Sequence, residues 1–437
     1  MNTQANNVLI KGGRVVDPYS GFDAVADVAI GNATVLQIGG LPQGFRPDRI
    51  LDAAGCLVLP GLVDLAVRLR EPGSEHARML ESEMSAAMAG GVTSLVCPPD
   101  TDPVLDEPGL VEMLRFRAEK LRQARVYPLG ALTRGLKGES LTEMLQLTDA
   151  GCVAFSQAET AIANTQVLQR ALQYASTFGF AVWLRPQDAY LGQGVAASGP
   201  LATRMGLSGV PVAAETIAMH TVFELMRSTG ARVHMCRISS ADGVELVRQA
   251  KAQGLALSCD VSINSLHLID HDIAYFDSSA RLNPPLRQQR DRDALRAGLL
   301  DGTIDALVSD HTPVDDDAKM VPFAESEAGA TGLELLMSLA YKWHLDDGGP
   351  LWRAVAVVSQ GPAQVLGASL GSRRDRTGQL KAGGLADICV FDPKSSWIVR
   401  PQTLLSQGNF TPFSGYELPG RVRYTLVGGR VAFAAES

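Results

Sequence analysis

The chain has 437 residues, 46% of them hydrophobic, and a formal net charge of −8. That length and apolar content suit one large domain with an accessory one, while the acidic balance gives no basis for nucleic acid or an anionic membrane as principal partner. No run approaches 18 uninterrupted apolar residues, so no membrane span is expected. The start, Met1 to Asn7, is polar and lacks the apolar core of a secretory signal. Six scattered cysteines (Cys56, Cys97, Cys152, Cys236, Cys259, Cys389) form no Cys-x-x-Cys pair. Most lie in apolar runs, the pattern of buried free thiols in a reducing cytoplasm.

In chain order, Val8–Val16 and Val25–Ile38 have the composition of short strands. From Leu57 the pattern changes. Strand-like runs recur at Leu62–Val67, Val92–Cys97, Val126–Ala131, Cys152–Ser156, Phe180–Leu184, Arg232–Cys236, Ala256–Val261 and Asp305–Ser309. Helix-compatible stretches separate most of them: Glu81–Ala89, Gly109–Arg122, Gln166–Thr177, Ala214–Arg227 and Ala241–Gln253. Eight strands with helical crossovers are the count of an α/β, (β/α)8 barrel, although pattern alone also allows a doubly wound open sheet. A helical segment near Leu351–Leu366 precedes strand-like pieces at Asp387–Phe391 and Val422–Phe433. Strands at both ends predict a small composite β-domain from residues 1–57 and 383–437, with the barrel over 58–382.

Barrel chemistry sits at the carboxyl ends of the strands. The first of these runs through Pro60–Gly73, where Asp64, Ala66 and Arg68 alternate with Leu65, Val67 and Leu69 and are expected on one face. Further distinctive stretches are Leu69-Arg70-Glu71-Pro72-Gly73, Cys97-Pro98-Pro99-Asp100-Thr101, Leu282-Asn283-Pro284-Pro285-Leu286-Arg287 and Asn409-Phe410-Thr411-Pro412-Phe413-Ser414-Gly415. In these the chain resembles a dihydroorotase of the cyclic amidohydrolase superfamily, along its whole length.

The resemblance implies a zinc centre held by four histidines and a bridging lysine or acidic residue, with an aspartate as base. The histidine positions are occupied here by Ala66, Arg68, Arg185 and Arg237. Gln157-Ala158 stands in the acidic stretch, and no lysine lies between Lys137 and Lys251. Alanine has no lone pair to offer and guanidinium only donates, so no metal is expected, and zinc only if the chain is nevertheless active. Asp310 is the retained base position, expected to pair with a barrel arginine. Arg70, Asp100, Asn283 and Val314 correspond to substrate-binding positions, with Arg70 and Asp100 as an alternative structural pair. His234 and Cys236 are expected to face the outer helices by strand parity, and His311 to point away from Asp310.

Arg68, Arg185 and Arg237 are expected to converge where the ions would sit, neutralised by Asp64 and Asp310 or by a bound anion. The resemblance extends to the inactive dihydroorotase-like subunits of some bacterial aspartate transcarbamoylases, implying a cytoplasmic pseudoenzyme of pyrimidine biosynthesis in a homo- or hetero-oligomer with that enzyme's catalytic subunit. The other readings are an active cyclic amidohydrolase with a divergent metal site, acting on dihydroorotate, allantoin or a hydantoin, and an anion-binding module.

Overall fold

A computed structural model describes residues 7–73 and 79–435; most of the polar start lies outside them. The chain opens with β1 (Val8–Asp17), β2 (Phe22–Gly31), β3 (Thr34–Ile38), β4 (Arg49–Asp52) and β5 (Leu57–Pro60). The turn from β2 to β3 is made by Asn32 and Ala33, both at positive φ, the geometry that matches the twist of a tight hairpin. Eight parallel strands follow: β6 (Leu62–Asp64), β7 (Val92–Cys97), β8 (Arg125–Ala131), β9 (Ala154–Ser156) and β10 (Ala181–Leu184), then, after a minor pair β11 (Ala196–Ala197) and β12 (Gly209–Val210), β13 (Arg232–Met235), β14 (Leu257–Ser262) and β15 (Ala306–Val308). The chain returns through β16 (Ile388–Ile398), β17 (Glu417–Val427) and β18 (Arg430–Ala434) to the first sheet, where β16 pairs with β5.

The eight parallel strands form a (β/α)8 barrel. At the mouth, Arg68 N donates to the His311 carbonyl and His311 N to the Ala66 carbonyl, joining the first strand to the last. At the base, the carbonyls of Val357 and Val358 accept from Leu307 N and Val63 N. That use of backbone explains why the segment expected as one helix near Leu351–Leu366 is two, Leu351–Ala356 and Gln360–Leu366. The intervening carbonyls serve the barrel and not a helix.

The crossovers are bounded as local chemistry dictates. The Thr165–Phe178 helix starts at Asn164, whose side chain accepts from Gln166 N and Val167 N, and stops at Gly179 with φ +72°. Between strands and helices lies an outer apolar layer that includes Val182, Val233, Met235 and Leu307; inside the barrel Val63, Leu65, Val96, Leu129, Trp183 and Val308 pack together. Fully burying one such side chain contributes about 1.5–3 kcal/mol. All six cysteines are free, five of them buried and Cys236 half-buried.

Strand parity fails at the mouth. Val63 and Leu65 pack inward but Val67 and Leu69 outward, so the strand expected over Leu62–Val67 ends at Asp64 and its alternation breaks after Leu65. There the Asp64 carboxylate takes the amides of Ala66 and Ser309, each at 3.2 Å, in place of ladder bonds. Arg70, Ala158, Arg237 and Asp310 all have φ between +49° and +59°, a left-handed backbone uncommon for side chains of this kind. Each re-aims the chain just beyond its strand.

Candidate functional site

The mouth is built around Glu159, which the sequence reading passed over. Its Oε1 accepts from Arg68 Nη2 at 2.8 Å and from Arg237 Nη2, and its Oε2 from Arg185 Nη1 at 2.8 Å and Asn283 Nδ2 at 2.9 Å. Three arginines from the segments that follow three strands therefore share one carboxylate. Burial would raise the acid's pKa, but Arg237, Arg185 and Arg68 outweigh it and hold Glu159 well below the usual carboxylate range. A signal was present: Glu159 is the one acidic residue between Asp149 and Asp188. Reading the stretch as Gln157-Ala158 stopped one residue short of it.

The other partners complete the network. Arg68 also donates from Nε to Asp100 Oδ2 at 2.9 Å and from Nη1 to the Thr312 hydroxyl at 2.9 Å. Arg237 Nη1 reaches Asp310 Oδ1 at 2.9 Å. Asp310 is buried, which pushes its pKa up against the opposing pull of Arg237 and Arg68. Asp100 therefore pairs with Arg68 and not, as the alternative pairing had it, with Arg70. Arg70, turned by its positive φ, donates to the Pro313 carbonyl at 2.7 Å and meets Glu327 at 3.4 Å. Arg68, Arg70, Arg185 and Arg237 are thus matched by Asp100, Glu159, Asp310 and Glu327. The cavity they leave is about 130 Å³, well below the few hundred cubic ångströms of an ordinary small-molecule site.

Several expected residues lie off this centre. Gln157 is turned away, donating to the Leu136 carbonyl at 2.8 Å and accepting from the Thr133 hydroxyl at 3.0 Å. Val314 is buried. His311 Nε2 meets Glu83 of the Leu80–Ala89 helix at 2.6 Å, away from the mouth.

His234 and Cys236 do not face the outer helices. His234 packs against Trp183 inside the barrel, at 4.5 Å between ring centroids, and Cys236 lies against the same inner layer. The parity argument counted back from Arg237, whose positive φ shifts its side chain off the alternation.

Comparison with known proteins fits this architecture. Residues 55–243 match the dihydro-orotase-like family model and residues 210–432 the amidohydrolase family model. A dihydroorotase-like protein of Pseudomonas aeruginosa is 44% identical over 425 residues, 97% of this chain and 99% of the relative. A dihydroorotase of Citrifermentans bemidjiense is 39% identical over 433 residues, 98% of this chain and all of the relative.

The chain belongs to the dihydroorotase-like amidohydrolases.

The solved L-hydantoinase (dihydropyrimidinase) of Arthrobacter aurescens superimposes with TM-score 0.87 over 98% of this chain and 96% of its own, at 23% identity, and so shares the fold. In the dihydroorotase-like chain, the positions the family resemblance assigns to metal ligands do not fit a metal. Ala66 is apolar, and Arg68, Arg185 and Arg237 are cations whose N–H groups already donate to carboxylates. A divalent ion among them would meet like charge in a partly desolvated site. One other cluster among the described residues, His234, Cys236 and Asp260, brings donor atoms within 4.8 Å of one another. Its capacity is already committed. The His234 nitrogens bond Ser258 Oγ and Asp260 Oδ2, both at 2.8 Å, Asp260 Oδ1 accepts from Arg237 N at 2.7 Å, and burial pushes the Cys236 thiol well above its ordinary pKa.

Asp64 does not join the arginines. Its Oδ1 serves the two backbone amides, its Oδ2 has no hydrogen-bond partner among the described residues, and burial pushes its pKa up to about 7. Because the folded value exceeds the unfolded one near 4, folding favours the protonated acid. Stability from this group is therefore present at low pH and lost as pH climbs from about 4 to about 7. Asp64→Asn removes that dependence. Urea midpoints of the variant are expected to gain on the parent protein between pH 4.5 and pH 8, by a difference on the order of 3 kcal/mol.

Proposed function

We propose that this dihydroorotase-like protein is a pseudoenzyme, an amidohydrolase barrel without hydrolytic chemistry that acts in the cytoplasm as an assembly partner of the aspartate transcarbamoylase catalytic subunit in de novo pyrimidine biosynthesis. The observation that carries the loss of hydrolysis is the convergence of Arg68, Arg185 and Arg237 on Glu159. Ring opening in this family's logic needs a water whose pKa is lowered by a metal ion. Asp310, the position of the base, is instead held by Arg237, so it has no activated water to deprotonate. Two relatives at 43–44% identity, from Pseudomonas putida and Pseudomonas aeruginosa, are named dihydroorotase-like, which suits a scaffold kept without its chemistry. The assembly role rests on the sequence resemblance to inactive subunits of bacterial aspartate transcarbamoylases. Among the described residues no helix is long and apolar enough to cross a membrane, and all cysteines are free.

Elemental analysis of the purified chain is expected to find far less than one zinc per protein, and incubation with dihydroorotate no ring opening above background. Mixed with the aspartate transcarbamoylase catalytic subunit of its own source, the chain is expected to co-elute on size exclusion as a larger species. Independent elution of the two at micromolar concentration removes the partnership and leaves the loss of hydrolysis standing.

A second reading, an active cyclic amidohydrolase, is favoured by relatives at 37–39% identity that are named dihydroorotase. It requires stoichiometric metal and chelator-sensitive turnover, so the same elemental analysis separates the two.

A further inference from the structure

The base of the barrel, opposite the mouth, holds a larger cavity. About 660 Å³ lies between the end of the Pro108–Leu121 helix, the start of β8, the segment Ser369–Arg373 and the turn from β17 to β18. Arg115, Arg122, Arg125, Arg373 and Arg430 line it. Two have carboxylate partners, Arg115 with Glu119 at 3.6 Å and Arg125 with Asp387. Among the described residues, Arg122, Arg373 and Arg430 have no carboxylate within ion-pair distance.

The contrast with the mouth is the argument. There four arginines meet four carboxylates. At the base three guanidiniums remain unmatched in a chain whose net charge is −8. The helix C-terminus at the rim offsets only about half a charge. Tyr127 on β8 lines the same cavity while packing into the inner apolar layer of the barrel. The volume falls in the range of small-molecule sites, and Val126, Val153 and Leu370 give it apolar wall.

We propose that this basal cleft binds a small phosphorylated metabolite, its phosphate oxygens held by the guanidinium forks of Arg122, Arg373 and Arg430. A concave site on an acidic protein favours a small anion over a nucleic acid, whose extended charge would be repelled by the surrounding surface. The site lies outside the mouth network and is independent of the pseudoenzyme reading.

The test is isothermal titration of the full chain with inorganic pyrophosphate and, separately, with ATP, at 20 mM and 150 mM salt. Saturable one-to-one binding is expected, weakening as salt rises. In Arg373→Ala/Arg430→Ala, whose side chains are exposed, the affinity should fall at least tenfold with an unchanged melting temperature; Arg70→Ala at the mouth should leave binding intact. No saturable binding at either salt overturns the proposal. So does equal affinity in the basal variant, or loss confined to Arg70→Ala.

Discussion

Glu159→Gln is expected to destabilise the protein by about 3–5 kcal/mol, the effect of removing one partner from a buried ion network and leaving the others unpaired. The amide is nearly isosteric, so the loss is electrostatic. Arg68, Arg185 and Arg237 keep their charge, and only Arg68 and Arg237 retain a carboxylate, Asp100 and Asp310 respectively. The Glu159 side chain is 30% exposed through the mouth, and the solvent that reaches it places the expected figure toward the lower end of that range. Urea denaturation at pH 7 measures it. The pH dependence has a defined sign. The carboxyl is held below its unfolded value near 4.3, so its contribution is fully present above that value and fades as pH falls. The parent and Glu159→Gln should therefore converge in strongly acid solution. A change under 1 kcal/mol at pH 7 would mean that the arginines are neutralised by something other than Glu159.

Replacing the whole network is expected to behave very differently. In Arg68→Met/Arg185→Met/Arg237→Met with Asp100→Asn, Glu159→Leu and Asp310→Asn, no charge of the central network is left without a partner. Apolar replacement of a buried ion network is often neutral, or stabilising by about 1–4 kcal/mol, because desolvation of every ion is avoided. The multiple variant should be within about 1–2 kcal/mol of the parent or above it, while Arg237→Ala alone, which strips Asp310 and Glu159 of a partner, loses several. Denaturant midpoints of the two variants, compared with the parent, decide the matter. If the multiple variant proves less stable than Arg237→Ala, the arginines and carboxylates contribute more through hydrogen bonding than their desolvation costs. The network would then be a stabilising element in its own right.

The two outcomes bear on how a barrel of this family keeps its fold with arginines at its mouth. A pocket emptied of histidines would leave polar backbone and carboxylates around a void. Here arginines fill it, and their length lets residues just beyond β6, β10 and β13 reach a single acid. The arrangement sets guanidinium donors at the positions the resemblance assigns to metal ligands and leaves little space for a substrate.

Much of this was legible in the amino-acid sequence. All eight barrel strands and five crossover helices lie close to where periodicity and turn residues put them, because apolar alternation and caps act over a few residues. The identity of the residues at the metal positions was equally plain, since Ala66, Arg68, Arg185 and Arg237 are what they are in any conformation. What each arginine holds was not. The pairing of Arg68 with Asp100, the turning of Arg70 toward Pro313 and Glu327, and the inward facing of His234 all follow from backbone at the strand ends. Ala158, Arg237 and Asp310 there adopt positive φ against their own preference. Composition does not announce such residues, because the surrounding barrel and not the side chain selects the conformation.

By itself, then, the sequence determined the eight strands with their helical crossovers, the family resemblance and the absence of imidazoles at the positions that would hold a metal, since these depend on local pattern and residue type. Only the tertiary structure decided that Glu159 gathers three arginines and that Asp64 stands apart, and it alone exposed the unmatched charge at the barrel base. Those depend on which side chains, far apart in the chain, come within about 3 Å of one another, and electrostatic pairing at that range is decided by three-dimensional proximity.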